Sequence, residues 1–488
     1  MKRLKGVAKL DQLASILEGY VEQKRQKLTA LSEEIWRYAE VGYQEFQSAA
    51  ALERCLEEEG FSVEKGVAGI PTAFVARYGQ GKPVIGFLGE FDALFDLSQQ
   101  AGNWQRASFE NGNAGHGCGH NQLGVGSLAA AMAVKEYMKD HGLAGTVAYF
   151  GCPAEEDGSG KMYMAKAGVF DELDGAFTWH PSSKNAVDGS SSLACICVLY
   201  RFHGRATHAA GQPHLGRSAL DACELMNVGV NYLREHMIQE ARVHYAYRDA
   251  GGGAPNVVQD HAALYYFIRA PKVSQAMELR ERVDNCARGA ALMTGTTLEI
   301  TTTDGLCDFI PNQTLSALLQ RGMEEIGAPR FSQADQALAA RFQEGYPAEE
   351  LKAKNESYEK EYGPQIAAQL AGKALMDIIL PLKFDPAASP GSTDVGDVSY
   401  VCPTVQLNMA TYAIGTPGHS WQLTAQGGCS IGHEGMLAAA KVLAYAGVRA
   451  MEDPKVLEQA KEEYQKATGG KYICPVPLDL EPMLDGVK

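Results

Sequence analysis

Three short apolar runs, residues 83–89, 146–150 and 175–179, constrain this chain more than any other feature. Each is too short for a buried helix, and each is continuous enough in apolar side chains to be buried on both faces, as strands of a parallel sheet are. Each also runs straight into residues that a core excludes. The first leads to Glu90-Phe91-Asp92, the second to Cys152-Pro153-Ala154-Glu155-Glu156, and the third to His180-Pro181. Helical text separates them, so the rhythm is strand, helix, strand. The polar residues then gather at the carboxyl rim of one sheet, where open α/β folds bind ligands. Glu90 and Asp92, two apart on extended chain, face the same way. Taken singly, each acidic pair is also compatible with a solvated strand end.

The densest stretch lies between the first two runs: Gly115-His116-Gly117-Cys118-Gly119-His120-Asn121-Gln122-Leu123-Gly124. Glycines widen the backbone angles open to a turn, so it can aim several side chains at one point as the chain enters a helix expected to reach about Lys139. Thiolate and imidazole are good ligands for zinc-like ions. The Cys-x-His spacing lets both reach one ion, or lets the cysteine bridge a pair. Read alone, the stretch fits a metal site and a structural glycine turn with a buried thiol equally well.

At 488 residues the chain exceeds the size at which a single core stops growing, which predicts two domains. A net charge of −15 without a basic cluster argues against a nucleic-acid backbone or an anionic membrane as partner. The basic start passes into amphipathic helical text without a signal peptide's apolar core, and no later stretch is long and apolar enough to span a bilayer. A cytoplasmic location is therefore expected. The eleven cysteines are odd in number and scattered through apolar segments, which reads as reduced side chains and not a disulfide framework. Neither an internal repeat nor a Walker or dinucleotide fingerprint is present.

Near Ser191 the pattern changes. Strands over 193–202, 262–268 and 296–302 and helices over 216–236 and 273–293 predict a compact α+β domain at 191–305, inserted between a first part, 1–190, and a second part, 306–488. Inside it, His208 reads as a loop histidine and Arg269 as a surface ion-pair residue, while Asn256 follows Pro255 in a loop. Beyond Gly305 the charged stretch 329–371 reads as an exposed helical elaboration. His419, in Gly418-His419-Ser420-Trp421, is ambiguous alone, and His433 reads as a packing or capping residue of the helix around 436–446.

Taken together, Asp92, Gly117-Cys118-Gly119-His120, Glu155-Glu156, Trp179-His180-Pro181 and Gly418-His419 keep one order and spacing. In these motifs the chain resembles the aminoacylase/carboxypeptidase-type dinuclear metallohydrolases, in particular the amidohydrolase subfamily that includes plant auxin-conjugate hydrolases. The resemblance covers nearly the whole chain. It implies an α/β parallel-sheet catalytic domain with an inserted α+β lid and dimerisation domain. It also implies two divalent ions, zinc or manganese, on Cys118, His120, Glu156, His180 and His419. Glu155 is then the general base and Asp92 the residue that orients a ligand. His208 is implied as the oxyanion donor reaching in from a second copy, Asn256 as a substrate contact, and Arg269 as the guanidinium for a substrate carboxylate.

The implied reaction is hydrolysis of the amide bond of an N-acyl or N-aroyl amino acid, with p-aminobenzoyl-glutamate the leading substrate. Its rivals are a dipeptidase or deacylase of the same family, and a catalytically silent metal-binding homologue. A homodimer is expected, and a second, homologous chain is a further partner to consider. Two departures stand out. Many relatives carry a histidine ligand two residues before the catalytic aspartate, where this chain has Glu90, as expected if the cysteine-containing set replaces it. Relatives often read Asp-Ala-Leu-Pro, where this chain has Phe95.

Overall fold

The computed structural model describes residues 12–109 and 112–484. The first part of the basic start, two positions of the Gln/Asn/Gly-rich loop before Gly115, and the last four residues lie outside them. The chain divides into two compact units: Met1–Ser190 with Pro311–Asp385 and Val401–Lys471, and Ser191–Ile310 with Pro386–Tyr400 and Tyr472–Lys488.

The larger unit is built on a seven-stranded sheet. Its order is Ser62–Lys65, Phe74–Gln80, Gly145–Cys152, Val84–Glu90, Gly175–Ser182, Thr404–Ala410 and Ala186–Val187. The central four strands run parallel, so their carboxyl ends share one rim. Every residue of Val84–Glu90 and of Gly145–Cys152 is buried, which is why neither shows the alternation of a one-sided strand. The sheet as a whole is mixed, because antiparallel strands flank this centre. The apolar-run criterion misses Phe74–Gln80: its end, Tyr78–Gln80, passes to polar and glycine text.

Two helices that are buried almost all round, His120–His141 and Ser430–Glu452, pack together against this sheet. Small residues bring the first one close. A side chain at Gly124 would meet the Glu90 carbonyl, and one at Gly126 would press on the Trp179 ring at 2.7 Å. Trp179 Nε1–H donates to the Leu123 carbonyl at 3.0 Å, locking helix to strand at the rim.

The smaller unit has a four-stranded antiparallel sheet, Thr297–Leu306, Ala194–His203, His261–Ala270 and Arg242–Asp249, with helices Ala219–Leu233 and Val273–Thr294 packed on it. Arg242–Asp249 is an edge strand of which Val243 alone is fully buried, so it carries no apolar period to betray it. Two later segments join this unit. Asp397 accepts the Cys307 N–H at 3.0 Å and the Tyr472 hydroxyl at 2.7 Å, contacts that an ordering of elements along the chain does not foresee.

The charged stretch 329–371 forms helices Gln333–Gln343, Ala348–Tyr362 and Pro364–Leu370. It is not wholly exposed. Phe342, Tyr346, Tyr358 and Leu370 are buried in two satellite cores with Leu375, Ile414 and Ile431.

Replacing Gly126 with valine forces the helix off Trp179, and overpacking of this kind costs about 1–3 kcal/mol. The expected outcome is a lower urea midpoint with an unchanged m-value; an unchanged midpoint would mean the helix does not depend on that approach.

Candidate metal centre

Residues from five places along the larger unit meet at the carboxyl rim. The chain leaves Val84–Glu90 with Asp92 fully buried, and the carboxylates of Glu90 and Asp92 stand at the two nitrogens of one ring. Asp92 Oδ1 lies 2.8 Å from His120 Nδ1, and Glu90 Oε2 lies 3.2 Å from His120 Nε2. His120 is the first residue of its helix, reached through Gly119 in the left-handed region at φ 84°. A side chain at Gly119 would also strike Pro181, so both backbone angle and space require glycine there.

Asp92 has a second task. Its Oδ2 accepts the backbone N–H of Glu156 at 3.0 Å, tying the acidic pair to the histidine. Cys118 Sγ stands 3.3 Å from His180 Nε2, while His180 Nδ1–H donates to the Pro181 carbonyl at 2.7 Å. That bond puts the ring proton on Nδ1 and leaves the Nε2 lone pair facing the site. His419 Nε2 lies 3.4 Å from Glu156 Oε2.

Ligand atoms of Cys118, His120 and His180 lie within 4.8 Å of one another, as do those of Cys118, Glu156 and His419, and those of Glu90, His120 and Glu155. Cys118 belongs to two of these groups. Ligand atoms on one tetrahedral ion of zinc-like bond length stand about 3.3–3.6 Å apart, and the Cys118–His180 and Glu156–His419 separations match. Glu156 Oε1, Glu90 Oε2 and His120 Nε2 are buried without a hydrogen bond. The donor set is soft, mixed and rich in negative charge, so it fits divalent cations.

The electrostatics agree. Burial and the charge of Glu156 push the Cys118 thiol up. Burial also raises the Glu156 carboxyl, and it lowers His180, helped by neighbouring His120. Burial alone would lower His120 too, but Cys118 and Asp92 outweigh it and hold the ring well above its ordinary value.

His116, the other histidine of the glycine turn, points away. Its Nε2 lies 3.1 Å from the Ile35 carbonyl, and burial lowers it to about 4. His433 packs near Glu33.

Three supporting residues have no role assigned to them by the sequence motifs. Fully buried Lys161 pairs with Glu90 at 2.7 Å. Its signal was available: a lysine just after Gly158-Ser159-Gly160, followed by the buried residues Met162–Ala165 of the short helix Gly160–Lys166. Glu45 accepts the Ala154 N–H at 2.8 Å and the Thr72 hydroxyl at 3.0 Å, and Tyr43 donates to the Gly158 carbonyl. These bonds hold Ala154 at φ 56°, an unfavourable angle for alanine, just before Glu155. The loop of His419, itself at φ 47°, is braced by the 333–370 helices. Tyr346 bonds Thr416 at 2.8 Å, Gln343 reaches the Ile414 carbonyl at 2.9 Å, and Asp335 meets Ser430.

His208, Asn256 and Arg269 are in the smaller unit. The loops of the first two run side by side, with the Ala209 N–H on the Asn256 carbonyl at 2.9 Å. The N–H groups of Ala210 and Gly211 point at His208 Nδ1, which leaves the ring proton on Nε2. Arg269 makes no ion pair among the described residues. Its Nη1 donates to Ser392 at 3.0 Å and its guanidinium lies over the Phe267 ring, while its buried Nε has no partner.

Known proteins share this architecture. The model of peptidase family M20/M25/M40 matches residues 86–422, and the chain belongs to that family of hydrolases. It is 42% identical over 97% of its length, and 99% of the relative's, to the B component of the p-aminobenzoyl-glutamate hydrolase of Escherichia coli (strain K12). It is 29% identical to the Xaa-Arg dipeptidase of Mus musculus, over 91% of this chain and 90% of that one. Among solved structures, an aminobenzoyl-glutamate utilization protein from Klebsiella pneumoniae superposes with a TM-score of 0.61 at 19% identity, over 89% of this chain and 98% of that one. No helix among the described residues is long and apolar enough to cross a membrane.

Burial, reinforced by the charge of Asp92, raises the Glu45 carboxyl from 4.5 to about 8. Between those values the folded chain keeps a proton that the unfolded chain releases. This group's contribution is therefore full at low pH and declines as pH rises to about 8. Glu45→Gln keeps an acceptor for Ala154 and removes the decline. In the metal-free chain its stability relative to the parent should climb by up to about 1.4 kcal/mol per pH unit across that window, read by urea unfolding. A difference independent of pH would contradict the protonated Glu45.

Proposed function

We propose that this hydrolase cleaves the amide bond of an N-acyl or N-aroyl amino acid, with p-aminobenzoyl-glutamate the leading substrate. The observation that carries the reaction is the convergence of Cys118, His120, Glu156, His180 and His419 at one rim with Glu155 beside them. The substrate rests on the name of the 42% identical relative and on the guanidinium of Arg269, whose buried Nε has no hydrogen-bond partner among the described residues.

Those five residues would hold two divalent ions. Bound there, the ions would acidify water and polarise the scissile carbonyl. The Cys/His/Glu mixture suits zinc, and manganese is the alternative. Asp92 fixes the ring of His120 and the backbone of Glu156. Glu155 takes the proton of the attacking water and delivers it to the amide nitrogen, so that the amine leaves neutral as the carbon–nitrogen bond breaks. His208, its proton on Nε2, is the donor for the oxyanion. Asn256 contacts the substrate, and Arg269, steadied by Ser392, grips the carboxylate of the amino-acid half.

A dipeptidase is the second reading, favoured by the name of the mouse relative. The proposal includes a homodimer and a second, homologous chain, the latter because the bacterial relative is named as one component of a hydrolase that has two. It also includes residence in the cytoplasm, which the eleven free cysteines support.

Metal-stripped chain, refilled with zinc or manganese, should release glutamate from p-aminobenzoyl-glutamate faster than it cleaves Xaa-Arg dipeptides or aliphatic N-acyl amino acids. The reverse order would move the assignment to the dipeptidase reading. Glu155→Gln should keep both ions and lose at least about 10²–10⁴-fold in kcat. Arg269→Met should act chiefly on KM for substrates with a free carboxylate; an equal effect on an esterified substrate would count against its assigned role.

A further inference from the structure

We infer that Glu90 is a further carboxylate ligand of the ion that His120 serves, aimed and charge-balanced by Lys161. The inference rests on the two-ion reading above. Glu90 closes a strand buried throughout, directly opposite Cys152, so its backbone cannot shift without disturbing the parallel ladder. Its two carboxylate oxygens have different surroundings. Oε1 meets the ammonium of Lys161 at 2.7 Å, and both side chains are almost fully buried. Oε2 is buried without a hydrogen bond and stands 3.2 Å from His120 Nε2, which is buried without one as well.

Asp92 commits the other nitrogen of that ring, so Nε2 is the atom His120 presents to an ion. The 3.2 Å separation is close to the roughly 3.3 Å between two nitrogen or oxygen ligands on one tetrahedral ion. Glu155 completes the group that Glu90 forms with His120, and Cys118 and His180 form a second group with the same residue. A buried ammonium is costly unless it is paired, and pairing it to one oxygen alone leaves the other as a single-point donor. Lys161 is thus a positioning residue: it pins one oxygen and keeps the carboxylate from closing over the site with both.

The test compares Glu90→Gln, Lys161→Met and the double variant with the parent chain, each stripped of metal. Each is titrated with zinc against a chromophoric chelator and loaded with cobalt for absorption spectroscopy. The parent should take two ions. Glu90→Gln should lose affinity for one of them by about tenfold or more. Its cobalt d–d bands should change, while the thiolate-to-cobalt band of Cys118 remains. Because either single variant leaves a buried charge without its mate, the double variant carries the decision. It should recover the thermal stability of the metal-free chain without recovering the lost affinity. A double variant that binds both ions as the parent does would reduce the pair to a structural ion pair and overturn the inference. A parent chain that binds no zinc or cobalt would overturn the two-ion reading and this inference with it.

Discussion

The arrangement at the rim depends on one buried carboxylate. Asp92 gives one oxygen to the ring of His120 and the other to the backbone of Glu156, so it fixes a side chain of the glycine turn and the start of the acidic turn at once. Charge-assisted bonds of this kind are short and directional, and burial sharpens them. Desolvation works against a charge on Asp92, yet its carboxyl is lowered, because His120, the Glu156 N–H and Lys161 together outweigh that penalty. Remove it, and the histidine ring and the acidic pair lose their common reference.

Around that centre the protein repeats one device: a polar side chain whose far end is held so that its near end is committed. His180 is oriented by the Pro181 carbonyl, Glu90 by Lys161, His208 by two backbone N–H groups, and Arg269 by Ser392. In each case the outer bond selects a tautomer, an oxygen or a rotamer. The main site is therefore largely set before any ligand arrives, which limits the reorganisation that binding must drive.

Much of this could be read from the sequence. The central strands are continuous apolar runs, and their ends carry residues whose chemistry a core rejects, so the rim and the residues that meet there stand out. Glycines mark the turn that carries Cys118 and His120, where Gly119 takes a left-handed backbone angle. What remained hidden had no such signature. Arg242–Asp249 is a strand by pairing, with an almost fully exposed sequence. Tyr43 and Glu45 support the acidic turn from a loop more than a hundred residues earlier, and nothing local announces that. Segment 329–371 is charged enough to read as solvated, but a few aromatic residues anchor it to the loop of His419. Long-range support of this sort is a property of the folded chain and leaves little trace in any window of sequence.

The order of these residues along the chain also has a temporal side. Cys118, His120, Glu156 and His180 all precede the smaller unit, whereas His419 comes after the first and longest segment of that unit and after the helices that brace its loop. During synthesis at about 5–20 residues per second, tens of seconds separate the emergence of His180 from that of His419. Throughout that interval the nascent chain carries the Cys118, His120 and His180 group complete, and the Cys118, Glu156 and His419 group short of one member.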